Sequence, residues 1–547
     1  MTELLTAVAI VFIVAGPFLL VANRLDIPAV PFLILAGIVA GVGVDEEITL
    51  ELAQWGIALL VFSFGLQIQF DAVRVVLGDG EKVAIAQMLS VGLLGVVVGV
   101  LFGLPLEQAM YFGIVAAFSS TIVGTALLQR DIRKNLVRGR LAESMNFVQD
   151  IAAVLVVLVL GAGAFDADLI AMQVGYGVFL LLAAVFVNRI LFDVLERLSK
   201  GSDEQLIVSV IALLVVFLGA AELSGISIVV GAFAAGIAVR YDPDEYFGVF
   251  DGLVSIRDFF VAIFFVTVGA LVTVPTVEVF ALAVGLGLLT AVVKPVVTTV
   301  FLIYSGYEAR SATLTSLSLD QVSEFSLVIV IEALILGILL QSVFDAIIIA
   351  AAATMITSSL SRAYDEQIYR VLADWRLFEG RHEKIDERSS VPEDLTDHAI
   401  IVGYGRQGRT LVETCERLDI QYVVVENDPT RLEDLRSECD AYVFSDANEP
   451  YAWVKADVDE ARIIVSTVNS PPVSEYLLRF ANGTDLILRT DDVEFARDLL
   501  DRGAMYVCVD DTLASEQLIE YIERLEDGSL PQETLRKEQI ASLSDLA

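Results

Sequence analysis

Several polar residues stand inside otherwise apolar stretches, and their types suit the binding of a cation or a proton. Gln149 and Asp150 lie together in MNFVQDIAAVLVVLVL, and the acid has apolar neighbours for a full turn on its C-terminal side. Lys294 lies in LLTAVVKPVVTTVF, with about ten mostly apolar residues on each side, enough to hold it at mid-membrane depth. Ser119, Ser120 and Thr121 interrupt a third apolar run, close to Gly113 and Gly124, and SLSLDQVSEF places Asp320, Gln321, Ser323 and Glu324 in a fourth. Ionisable groups at membrane depth are costly and mark ion or proton paths. A carboxylate that takes either H⁺ or a metal cation exchanges them by competition. Hydroxyl and carboxamide oxygens suit a hard cation, without separating Na⁺ from K⁺. On this reading Lys294 neutralises Asp150 when the cation is absent.

A different chemistry is written in HAIIVGYGRQGRTLVETCERLDIQYVVVEND. A short apolar strand runs into Gly403, Gly405 and Gly408, an amphipathic helix follows, and a second strand ends at Glu426. Glycines at this spacing allow a tight turn and close approach of a pyrophosphate to the helix N-terminus. An acid at Glu426 suits ribose hydroxyls and disfavours a 2′-phosphate. Arg406 and Gln407, inside the glycine pattern, and Asp446 with Ala447, at the end of a later strand, are placed in the same nucleotide site. The two histidines, His382 and His398, fall before the first strand, so no hydride-transfer partner is visible. The expected ligand is a regulatory adenine nucleotide, NAD(H) or AMP/ATP, with no redox role. Val402-Gly403-Tyr404-Gly405 also matches the core of a potassium-channel filter, but it sits in a strand–turn–helix far from any apolar span.

The elements that must position these residues follow from composition. The 547 residues are 56% hydrophobic and only 20% charged. That balance excludes a single soluble globule, which would carry about 25% charged residues. A net charge of −37 argues against a nucleic-acid partner. Two His and three Cys exclude a disulfide framework and leave little for zinc. Acid excess on both parts of the chain suggests a high-salt (halophile) source. From Met1 to about residue 360 there are roughly thirteen apolar runs long enough to span a bilayer.

Charge orients them. Lys and Arg fall in alternate loops: Arg24; Arg74 and Lys82; Arg130, Arg133, Lys134, Arg138 and Arg140; Arg189, Arg197 and Lys200; Arg240 and Arg257; Arg310. By the positive-inside rule these loops are cytoplasmic, the N-terminus is outside and the C-terminal part is inside. Spans five (107–128) and twelve (312–340) are the two interrupted ones, seven spans apart. An odd offset reverses orientation, the mark of an inverted repeat with two broken helices crossing at the midplane. Asp150 in span six and Lys294 in span eleven flank them in sequence. The expected architecture is a polytopic α-helical membrane domain over 1–360, a linker over 361–396 and a Rossmann-type α/β domain over 397–547. Five or six parallel strands are expected there, from AYVFSDANEP, ARIIVSTVN, DLILRT and MYVCVDD after the first two.

At these residues the chain resembles the monovalent cation:proton antiporter-2 family, in its Kef-type potassium/proton branch with a C-terminal RCK (KTN, TrkA-N) domain. The resemblance spans nearly the whole chain. It rests on SSTIV at 119–123, FVQDIA at 147–152, GAFAAGIAV at 231–239, FFVTVGA at 264–270, Lys294 and QVSEF at 321–325. Gln149-Asp150 matches the Gln-Asp pair of the Kef branch. Where that branch has Gln-Gly-Gly-Glu-Phe, this chain has Val322 and Ser323 in place of the glycines. The resemblance implies alternating access, a homodimer formed through membrane and RCK domains in the cell membrane, and nucleotide control. Asp150 would carry cation and proton with Gln149 beside it, and Ser119, Ser120 and Thr121 would be crossing-helix ligands. Gly403, Gly405, Gly408 and Glu426 would hold the nucleotide on a single RCK lobe. The expected activity is K⁺/H⁺ exchange, with Na⁺/H⁺ exchange possible. The alternative on the same fold is a nucleotide-gated channel or uniporter.

Overall fold

The computed structural model describes all residues except 1, 42–44, 68–79, 134–135, 161–166, 193, 196–202, 241–246, 375–380, 393–394, 481–482, 527–533, 538–539 and 541–547. Arg74, Lys134, Arg197 and Lys200 of the basic loops lie outside the described residues. The chain forms two compact units, Met1–Leu377 and Phe378–Ala547.

The first unit is helical. Its elements are α1 (Thr2–Leu25), α2 (Ala29–Ala40), α3 (Glu46–Gln67), α4 (Glu81–Leu101), α5 (Leu106–Ala117), α6 (Thr121–Arg133) and α7 (Val137–Leu160). Next come α8 (Ala167–Phe186), α9 (Asp203–Leu223), α10 (Ile228–Ala238), α11 (Phe247–Ala270), α12 (Val277–Leu288) and α13 (Lys294–Tyr304). The unit closes with α14 (Ala309–Leu317), α15 (Glu324–Ile335), α16 (Gln341–Ala363) and α17 (Asp365–Asp374). Among the described residues, 9 helical runs are long and apolar enough to cross a membrane, and α2 and α10 are shorter apolar helices. The core is aliphatic and aromatic, and its glycines set close helix contacts. A Cβ on Gly37 would stand 2.0 Å from Val266 O, and one on Gly236 would stand 2.2 Å from Phe62 O.

Two interruptions fall where polar residues enter apolar runs. Phe118 turns extended (φ −90°, ψ 150°) after α5, and α6 restarts at Thr121. The second break separates α14 from α15. No residue of either break has positive φ, so the second break forms without the glycines of the Kef pattern. Ser323 starts α15 instead, its hydroxyl accepting the Phe325 N–H. A further irregularity is a π-turn at Leu289–Val293, between α12 and α13, just before Lys294-Pro295.

At the other end of α6 ion pairs join five helices. Asp131 (α6) takes Arg138 (α7) and Arg362 (α16), both at 2.7 Å. Arg362 also pairs with Asp365 of α17, and Arg310 of α14 pairs with Glu366. The segment expected as a linker is therefore divided: α17 belongs to this unit. In the second unit, α18 (Arg381–Arg388) is held through Asp386, which accepts from the Tyr451 hydroxyl and pairs with Lys455, and Ser390 bridges to Tyr442.

The second unit is a six-stranded parallel sheet in the order β3-β2-β1-β4-β5-β6. Its strands are β1 (His398–Val402), β2 (Tyr422–Glu426), β3 (Tyr442–Phe444), β4 (Ala461–Ser466), β5 (Asp485–Thr490) and β6 (Tyr506–Val509). The connecting helices are α19 (Arg406–Arg417), α20 (Leu432–Glu438), α21 (Pro450–Lys455), α22 (Pro471–Phe480) and α23 (Val493–Asp501), with α24 (Asp510–Glu526) last. β1 and β2 are buried along their whole length, as their unbroken apolar runs require of a sheet covered on both faces. The order reverses between β1 and β4, the crevice where such sheets take ligands.

Candidate functional site

The two breaks meet inside the first unit, and several of their loosened backbone groups find partners. Ser119 Oγ donates to Leu319 O at 2.9 Å, and Gln321 Nε2 donates to Ser120 O at 3.2 Å, so each break touches the other. Buried peptide groups outside a helix need such partners. Three more come from neighbouring helices: Gln87 (α4) donates to Ala117 O, Gln149 (α7) accepts from Ser119 N, and Thr354 (α16) accepts from Val322 N. Ser358 (α16) holds the Gln321 side chain, donating to its Oε1.

Charges are sorted by helix polarity. N-terminal helix ends favour negative groups and C-terminal ends positive ones. Glu324 begins α15, and its Oε1 accepts the Ile122 N–H of α6 at 2.9 Å. Asp150 lies beside the same end of α6, its Oδ2 accepting the Thr121 hydroxyl at 2.8 Å. Lys294 is turned to the other polarity: its Nζ donates to Phe118 O at 2.9 Å and Gln321 O at 2.7 Å, beyond the C-terminal ends of α5 and α14. All three side chains are at most 1% exposed.

The expectation that Lys294 neutralises Asp150 is not what the structure shows. Lys294 gives its hydrogen bonds to the Phe118 and Gln321 carbonyls, while among the described residues Asp150 accepts only from Thr121 and its other oxygen has no partner. Sequence gave membrane depth for these residues but not the direction each faces around its helix axis.

Three buried oxygens near the start of α6 have no hydrogen-bond partner: Asp150 Oδ1, Glu324 Oε2 and Asn146 Oδ1. Asn146 is one helical turn before Asp150, on the same face of α7. These oxygens, with the Thr121 hydroxyl, form a donor set suited to a hard monovalent cation. The structure thus brings Gln149, Asp150, Ser119, Ser120, Thr121, Gln321, Glu324 and Lys294 to one crossing. Sequence reasoning missed Asn146, Gln87, Thr354 and Ser358. The only signal for Asn146 was its i−4 spacing from Asp150.

In the second unit, Gly403 has φ +94°, and a Cβ there would meet Thr467 Oγ1 at 2.7 Å. A Cβ on Gly408 would meet Gly403 O at 2.0 Å. Gly405 differs: nothing lies within 4 Å of its Cβ position, and it precedes α19 without a side-chain cap. Room at this residue, over the open amides of a helix N-terminus, fits the phosphates of a nucleotide.

Around that turn, Arg406 is exposed and Gln407 accepts from Arg489 at 2.8 Å. Asp446 accepts from the Asn448 backbone and side chain, and Ala447 O accepts from Trp453. Glu426 is turned inward. Its Oε2 accepts the Tyr404 N–H at 2.6 Å, and its Oε1 accepts the N–H groups of Asn427 and Asp428. Burial pushes the Glu426 carboxyl above the ordinary carboxylate range, against the lowering effect of those amides. In this conformation Glu426 braces the glycine turn.

Residues 8–363 match the family model described as sodium/hydrogen exchanger, transmembrane. The chain belongs to this exchanger family. The exchanger also carries a TrkA-N domain, matched over residues 399–510. It is 27% identical to YbaL of Escherichia coli (strain K12), provisionally named a cation/proton antiporter, over 95% of this chain and 98% of that one. It is 26% identical to KefB of Alkalimonas amylolytica, provisionally named a K⁺ efflux antiporter, over 91% of this chain and 78% of that one. Its fold is similar to that of the sodium proton antiporter MjNhaP1 from Methanocaldococcus jannaschii, with a TM-score of 0.50 at 17% identity over 67% of this chain and 98% of that one. The exchanger is thus a multi-span membrane protein of the cation:proton antiporter class, Kef-type in its pairing with an RCK domain. Its named relatives are transporters rather than enzymes.

Proposed function

We propose that the protein exchanges potassium for protons across the cell membrane at Asp150, with sodium as the alternative cation. The supporting observation is the buried Asp150 carboxylate, with one oxygen bare beside the bare oxygens of Asn146 and Glu324. Such a group takes a proton or a dehydrated cation, and competition between them becomes antiport when the crossing opens alternately to each side. Potassium is favoured by the single acid of the Gln149-Asp150 pair, by the Kef resemblance and by the name of the KefB relative.

The RCK unit faces the cytoplasm in this reading, the N-terminus lies outside, and two copies form a homodimer. An adenine nucleotide, NAD(H) or AMP/ATP, seats its phosphates over Gly405 and the N-terminus of α19, where Gly403 and Gly408 keep the turn tight. Glu426 must release at least one backbone amide to reach a ribose. The nucleotide controls the exchange rate and undergoes no chemistry.

The test is purified protein in liposomes holding a pH dye, with imposed K⁺ or Na⁺ gradients, with and without NADH or AMP, for wild type and Asp150→Asn. Cation-driven proton movement, lost in the variant, is expected. Cation flux without proton movement, kept in the variant, would make the protein a channel.

A further inference from the structure

The four charged side chains of the crossing fall into two sets. Asp150 and Glu324 act on one another beside the N-terminal ends of α6 and α15. Lys294 stands at the opposite polarity, with its Nζ 2.7 Å from Gln321 O, the carbonyl of the residue that follows Asp320. Asp320 is wholly buried in the second break, and neither of its oxygens accepts a hydrogen bond. Lys294 has three N–H donors and gives two to the Phe118 and Gln321 carbonyls. An ammonium and a carboxylate buried at the same low-dielectric crossing are each costly alone and offset one another together.

We infer that Asp320 is the counter-charge of Lys294 in this chain, and that it thereby keeps the lysine from competing for Asp150. The inference rests on the proposed exchange at Asp150. Without Asp320, the remaining acids of the crossing are Asp150 and Glu324, and the ammonium is drawn toward them. It then opposes cation entry with a fixed positive charge. With Asp320 in place, Lys294 is a neutralised clamp on the carbonyls of both breaks. Proton and transported cation are then the positive charges contending for Asp150. Asp320 is a positioning residue on this view, acting through Lys294.

A double-variant comparison tests this: Asp320→Asn, Lys294→Gln and the two combined, each assayed for cation concentration dependence in liposomes and for melting temperature. Asp320→Asn alone is expected to raise the apparent KM for the cation roughly tenfold or more and to lower the melting temperature, because it strands a buried ammonium. The combined variant is expected to recover both quantities relative to Asp320→Asn. An unchanged KM and melting temperature in Asp320→Asn, or strictly additive effects, would overturn the inference. Should Asp320→Asn fail to fold alone, folded protein from the combined variant supports the pairing, and failure of both overturns it. If the wild type shows no exchange, the functional reading falls. The melting temperatures still decide whether the two residues are coupled.

Discussion

Gln149 accepts the Ser119 backbone N–H at 2.6 Å while its own Nε2 donates to Gln87 at 2.9 Å. The carboxamide next to Asp150 is therefore a strut between the first break and α4. Gln149→Leu strands the Ser119 amide and one Gln87 oxygen in the interior, and leaving such groups unpaired costs about 1–3 kcal/mol each. A clear fall in the melting temperature of the detergent-solubilised protein is expected, larger than for Gln149→Glu, which keeps an acceptor for Ser119. Equal melting temperatures for Gln149→Leu and wild type would mean the strut bears nothing.

Thr121 gives Asp150 the hydrogen bond that orients its carboxylate. Thr121→Val keeps the shape and removes the hydroxyl. The protein is expected to fold normally, with half-saturation for the cation raised roughly tenfold, the scale of one hydrogen bond to a charged group. Gradient-driven proton flux measured across a range of K⁺ concentrations checks it.

The glycines of the turn in the second unit separate folding from binding. Gly408→Ala places a Cβ 2.0 Å from Gly403 O and should disrupt the turn itself. Gly405→Ala meets nothing in the protein and should leave stability unchanged while blocking the approach of a phosphate. Calorimetric titration with NADH or AMP, beside melting curves, distinguishes the two. Unchanged nucleotide affinity in Gly405→Ala would remove the phosphate from this turn.

Glu426 gives a pH dependence of known sign. Burial raises its carboxyl in the folded protein above its ordinary value of 4.5. The folded state therefore holds the proton more tightly than the unfolded chain does. The group's contribution to stability is full below pH 4.5 and is lost as pH rises through the raised value. Glu426→Gln carries no such titration. The stability advantage of wild type over this variant should shrink as pH climbs above 4.5, read from melting curves at stepped pH. An advantage that grows with pH would mean the three amides outweigh burial.

Both breaks were legible because Ser119–Thr121 and Asp320–Glu324 interrupt runs that are otherwise apolar. The sheet was legible because its strands are short apolar runs between glycine and acid signals, and all six are present. What escaped was rotation and partnership. Gln87 and Thr354 look in sequence like ordinary polar residues on spans, yet they close the backbone accounts of the breaks. The pairing of Lys294 with Asp320 depends on which way two side chains face across a crossing, and spacing along the chain does not encode that. Glu426 was placed correctly at the strand end, but its inward turn depends on the amide of Tyr404, 22 residues earlier, together with those of Asn427 and Asp428 beside it.

The π-turn at Leu289–Val293 has a consequence for counting. A wide turn holds one residue more than an α-turn, so everything after it is rotated by about 100° relative to an uninterrupted helix. Lys294 is the first residue after it, and Pro295, which has no N–H to give, follows at once. Deleting one apolar residue such as Val292 would restore an ordinary helix with the ammonium still on its present face, whereas the same length wound as a plain α-helix would swing it about a quarter turn away from both carbonyls. Span eleven thus carries one residue more than a plain helix needs, and the aim of its lysine depends on where that surplus is absorbed.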